Sequence, residues 1–358
     1  MNDFKSSPKP KVSTKAVIEA LMDQNTPFPL VYLEWFSDLT PSAIRDLEKA
    51  WPQVAPARRI EIAKQLEEMN ETDTMVLFNE FAKIAMKDAE PAVRVSASML
   101  LREDPELDLV PALIRLVNED PEASVRAAYA ATLGMYVYEG EMEEIPENVK
   151  NLVEEALLKK YNSADETIVR RRALEAVSFS SRKEINDLLI KAYKSGEAGW
   201  MVTALFGMGR NLDQRWARYI LPHIKDADPE IQLEAVRAAG ELGMKEAREP
   251  LIELLEDSGD LDDETRFAAI WSLSEIGGEN VQETLVQIME DSEDDELTEF
   301  VEDALDNLTF TDGMNKMDMF DFDIDEEGDA HGGKKGSSKL VDTDEKDDKS
   351  SKSKGQRH

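Results

Sequence analysis

The chain has 358 residues, 76 of them acidic and 42 basic, giving a formal net charge of −34, and it contains no cysteine. Without cysteine there is no disulfide framework, no thiolate metal site and no thiol nucleophile. Phosphate contacts dominate nucleic-acid affinity, so a surface this acidic excludes nucleic acid and disfavours anionic membranes as partners.

In chain order, residues 1–15 are polar, proline-containing and net positive, which predicts a disordered N-terminal tail. That stretch lacks the apolar core of a signal peptide. No apolar run in the chain approaches the roughly 18 residues that suggest a membrane span. The expectation is a soluble, cytoplasmic protein with no membrane partner. The folded part is expected over residues 16–308. Its first segment, up to about residue 55, acts as an N-terminal cap; Thr40 there is a helix-capping residue and Pro41 the first helical one.

From residue 56 to 308 one unit recurs eight times. Its anchors are Arg58, Val93, Val125, Val169, Trp200, Ile231, Thr265 and Leu297, separated by steps of 35, 32, 44, 31, 31, 34 and 32 residues. Five anchors are followed directly by arginine: Arg59, Arg94, Arg126, Arg170 and Arg266. Residues four and eight places beyond the anchor are mostly small and apolar, as in Val93, Ala97 and Leu101. Positions 0, 4 and 8 share one face of an α-helix, and a small residue between two larger ones admits a neighbouring backbone. A second apolar run, such as Leu113, Ile114, Leu116 and Val117, completes each unit. The prediction is an all-α chain of about eight stacked helix pairs, since a repeat that keeps register over this length marks a solenoid.

The long step carries about twelve extra residues around 136–150, read as a longer inter-helix loop or a binding insertion. Between Arg182 and Lys225 eight basic residues face four acidic ones, and aromatic residues are frequent. Lys191, Lys194, Trp200, Arg215, Trp216 and Arg218 are therefore the candidate protein-binding residues, because arginine and large aromatics are over-represented at binding hot spots. The competing reading packs the aromatics between helices and pairs the bases with neighbouring acids. After Leu308 a low-complexity, disordered tail is expected over 309–358. Within it Met319, Phe320, Phe322 and Ile324 alternate with acids, a candidate linear motif for the basic centre.

The stretches Asp88–Ser98, Asp120–Gly134 and Asp226–Gly243 resemble HEAT repeats, in the bacterial flavour first named for phycobilisome lyases. The resemblance spans roughly residues 40–308 and implies a right-handed α-solenoid whose second helices line the concave side. It also implies a structural ladder in which an aspartate at a first-helix turn meets the arginine of the adjacent repeat; the candidates are Asp88, Arg94, Asp120, Arg126, Arg170, Asp226, Asp260 and Arg266. A carboxylate at a helix start can also accept from free backbone N–H groups. Some HEAT-like enzymes hold an iron pair on His-Glu motifs, and this sequence has no His-Glu pair and only His223 within the repeats. No GxSxG, P-loop or zinc-ligand spacing occurs either. The expectation is a non-catalytic scaffold or adaptor without cofactor, binding another protein or its own acidic tail. A bilin-lyase-like or chaperone-like accessory protein is the alternative, and a cryptic enzyme the outside reading.

Overall fold

The computed structural model describes residues 12–326 except 38, 73, 74, 103, 212 and 257–260; at 312 and 314–326 it describes the backbone alone. Among these residues there are helices and no strands. The chain opens with α1 (Thr14–Met22) and α2 (Pro41–Ala50). Thr40 caps α2 as expected, its hydroxyl accepting from the Ala43 N–H at 3.3 Å with Pro41 in the first turn.

Helix pairs follow: α3 (Pro56–Thr72) and α4 (Asn79–Ala85), then α5 (Pro91–Leu100) and α6 (Val110–Glu119). Next come α7 (Ala123–Glu141) with α8 (Glu147–Tyr161), α9 (Thr167–Val177) with α10 (Lys183–Tyr193), and α11 (Ala198–Arg210) with the single turn α12 (Ala217–Ile220). The last are α13 (Pro229–Glu241) with α14 (Arg248–Glu256), α15 (Asp263–Ile276) with α16 (Val281–Asp291), and α17 (Asp295–Glu326). All eight anchors fall on the odd-numbered helices from α3 to α17, so each repeat begins with one of these first helices. From α3 to α15 successive first helices pack on one another, and from α5 on each also packs on at least one second helix. This is the α-solenoid arrangement the repeat predicts.

The predicted face is the core. Ile62 and Leu66, Val93, Ala97 and Leu101, and Val125, Tyr129 and Leu133 are all essentially inaccessible. Close approach of successive first helices depends on small residues along this layer. A Cβ placed on Gly240 of α13 would stand 2.7 Å from the Ser272 Cα of α15, nearer than real Cβ atoms come to backbone. Ser272 uses that proximity, donating its hydroxyl to the Val236 carbonyl at 2.9 Å.

Two expectations change. The extra residues after Val125 do not form a long loop: they lengthen α7 to nineteen residues, and only a short turn separates it from α8. Helix continues there because each added turn finds burial; Tyr136 is inaccessible and donates its hydroxyl to the Glu106 carbonyl at 3.0 Å. Glu141 near the helix end pairs with Lys150 at 3.1 Å and accepts from the Ser181 N–H. Secondly, α17 does not stop at Leu308 but continues to Glu326, so the boundary drawn in sequence falls inside a helix. Among its described side chains Val301, Ala304 and Leu308 are buried.

Candidate functional site

The arginine–aspartate ladder exists, and it occupies the first half of the array. Arg59 approaches Asp88 at 3.0 Å. Arg94 grips Asp120 through two bonds of 2.8 Å, and Arg126 grips Asp165 through bonds of 3.0 and 2.6 Å. Each arginine also donates to the carbonyls of its own turn, Arg94 to Asp88 and Ala89, Arg126 to Asp120 and Pro121. Each aspartate in turn accepts from a backbone N–H two residues on or, for Asp165, from the next one. Asp165 was missed in the sequence because it stands four residues before its anchor rather than five. Burial alone would raise its carboxyl, but hydrogen bonds from Arg126, Lys160 and the Glu166 N–H hold it well below the usual carboxylate range.

Beyond Asp165 the ladder breaks. Arg170 is not a rung: it donates to the Tyr161 carbonyl at 2.9 Å, and its guanidinium lies over the rings of Tyr161 and Trp200. The place an aspartate would take is held by Ser195, which accepts from the Glu197 N–H. Asp226 meets no arginine either, since Met201 stands where one would reach it; its carboxylate receives the Asp228 N–H and pairs with His223 Nδ1 at 2.7 Å. The other ring nitrogen of His223 lies 2.8 Å from the Tyr193 hydroxyl. Among the described residues Arg266 pairs with Asp263 on its own helix, and Asp260 lies outside them.

The six residues singled out for binding are divided by the fold. Lys191 on α10 and Lys194 just past its end are exposed, with no ion pair among the described residues. Arg218 of α12 is exposed and lies over Tyr219, while Arg215 pairs with Asp213. Trp216 is not a contact residue: it is fully buried, and its indole N–H donates to Asn211 at 3.1 Å. Trp200 is half-buried beneath Arg170. The side chains of Met319, Phe320, Phe322 and Ile324 lie outside the described residues.

A surface that sequence reasoning overlooked lies on the first helices. A cavity of about 520 Å³ runs across α5, α7, α9 and α11, lined by Met99, Met135, Ile168, Phe179 and Phe206 with Arg172 and Glu175. Glu175 is buried, pairs with Arg172 and accepts from the Thr203 hydroxyl at 2.7 Å; Arg171 donates to that same hydroxyl, which ties α9 to α11. A second cavity of about 450 Å³ crosses α11, α13, α15 and α17 and presents Phe267, Trp271 and Phe300. Both open on first helices rather than on the second helices that the family resemblance favoured. A third cavity, of about 1000 Å³, lies between α14 and α16, and its charged lining is acidic apart from Arg266. The overlooked signal is that residues two and six places after the anchor lie opposite the core face yet are apolar in four units: Val95 and Met99, Ala127 and Ala131, Val202 and Phe206, Phe267 and Trp271.

Among the described residues no group of three or more His, Asp or Glu side chains is arranged to hold a metal ion, and no helix is long and apolar enough to cross a membrane. The fold and this face define an α-helical repeat protein. Its residues 218–306 match the family model of HEAT repeats, so the segment from α12 into α17 carries that repeat. No curated protein matches the chain. Similar solved structures include E. coli YibA, at 17% identity and a TM-score of 0.42 over 80% of this chain and 98% of that one. Human deoxyhypusine hydroxylase with glycerol is similar at 16% and 0.33, covering 74% and 95% of the two chains. Kap95p, from its complex with RanGDP, is similar at 15% and 0.39, covering 82% and 41%. None of the three assigns an activity to this chain.

Proposed function

We propose that the chain is a non-catalytic, cytoplasmic scaffold that binds another protein through the outward face of its first helices. One observation carries the reading: the cavity across α5 to α11 is lined by half-exposed methionine and phenylalanine side chains, together with Ile168 at 39% exposure. Contiguous apolar surface of this kind is uncommon on a monomer and characteristic of interaction sites. Methionine suits it, because an unbranched, polarisable side chain adapts to varied partner shapes. The exposed Lys191 and Lys194, unpaired among the described residues, and the stacked Arg218 supply a separate polar contact region on the second-helix side.

The test is quantitative capture of partners from cells that express the protein, comparing the native chain with Met135→Asp plus Phe179→Asp and with Lys191→Glu plus Lys194→Glu. The reading expects the first pair to abolish capture while the circular dichroism spectrum stays native. Undiminished capture by that pair, with loss in the lysine pair, transfers the function to the second helices and overturns it.

A further inference from the structure

The aromatic end of the first-helix face differs from the methionine-lined part in its charge. In the cavity crossing α13, α15 and α17, the Phe267 and Phe300 rings meet edge to face with centroids 4.7 Å apart. Trp271 stands 6.1 Å from Phe300 and is 40% exposed. The cations of this lining are already matched: Arg210 pairs with Glu241, and Arg237 with Glu264 at 2.9 Å. Glu275 is exposed and has no cationic partner among the described residues. The α17 side adds only negative charge, for residues 290–306 contain ten acids and no base. Glu296 and Asp303, four before and three after Phe300, flank it on the same side of the helix.

An exposed indole beside unpaired carboxylates takes a cation, which gains both from the ring quadrupole and from charge-assisted hydrogen bonds. The chain's net charge of −34 draws such a group in. We propose that this groove docks a lysine- or arginine-bearing segment of a partner protein, with one cation seated on Trp271 and Glu275 as its counter-charge. The proposal rests on the reading of the first-helix face as a binding surface and names what its aromatic end accepts.

The experiment titrates the full chain with a fluorescent 18-residue helical peptide of leucine and arginine, and with its leucine–glutamate counterpart. Four variants are compared: Trp271→Ala, Glu275→Lys, Met135→Asp, and Glu68→Lys on the exposed side of α3, which alters the net charge as much as Glu275→Lys does. Binding of the arginine peptide alone is expected, weakened about tenfold by Trp271→Ala and by Glu275→Lys and less than twofold by Glu68→Lys. Equal weakening by Glu68→Lys and Glu275→Lys reduces the effect to bulk charge and overturns the proposal, as does unchanged affinity in Trp271→Ala with a native thermal midpoint. If partner capture is lost in Met135→Asp while Trp271→Ala leaves peptide binding intact, this site is overturned and the broader reading stands.

Discussion

Arg94 and Asp120 form a two-pronged pair, Nε to Oδ2 and Nη2 to Oδ1, both 2.8 Å, while the third nitrogen of the same guanidinium satisfies two carbonyls of its own turn. The planar fork thus joins the start of one repeat to the start of the next, which a lysine point charge cannot do. Arg94→Lys is expected to lower stability by about 2 kcal/mol, and Asp120→Ala by about 3 kcal/mol because it leaves a buried guanidinium unpaired. Denaturant melts of both variants check this; Arg94→Lys at native stability refutes the fork.

Part of the acid sensitivity should come from Asp165. Its carboxyl titrates below the usual range in the folded chain, so the stability it contributes is fully present above the unfolded value near 4 and is lost as pH falls through the lower folded value. Melting midpoints measured from pH 6 to pH 2 should fall more steeply for the native chain than for Asp165→Asn. Parallel curves would show that the carboxylate is not held by Arg126 and Lys160.

Packing at Gly240 leaves no room for a methyl group. Gly240→Ala drives a Cβ against the Ser272 backbone and should cost about 2 kcal/mol, although alanine is otherwise the better helix former. A gain in the thermal midpoint would mean that α13 and α15 can part without penalty.

The divided fates of the basic and aromatic residues at the centre are separable by mutation. Trp216→Ala empties a fully buried site and should cost about 4 kcal/mol, whereas Lys191→Glu and Lys194→Glu should each change stability by less than about 0.5 kcal/mol. Hydrogen exchange over α10 to α13 distinguishes them, with protection lost only in the tryptophan variant.

Asp226 is another depressed carboxyl, and here the leading cause is the Asp228 N–H, with His223 next. His223→Gln should therefore leave the bond from the Asp228 N–H in place and reduce stability less than Asp226→Ala does. Equal losses, read from thermal midpoints, would assign the effect to the histidine instead.

Several of these features are legible in the sequence. Thr40, Pro41 and the 0, 4, 8 spacing are local signals, because capping and one-sided burial act within a few residues. The arginine and aspartate rungs were visible only where spacing was regular. Asp165 stands one place off, and the later rungs fail because Ser195 and Met201 replace the partners an arginine or aspartate would need. Trp216 misled because a tryptophan in a basic stretch looks the same in sequence whether it faces solvent or the core.

The sequence by itself determined the repeated first helices and the buried face of each, since periodicity and small residues specify which side of a helix must leave water. Only the tertiary structure decided where α7 and α17 end, which arginines find a carboxylate, and that Met135, Phe179 and Trp271 gather on open cavities of the first-helix face. The arginine pairs join residues 26 or more apart in the chain, and periodicity within one helix carries no information about such contacts.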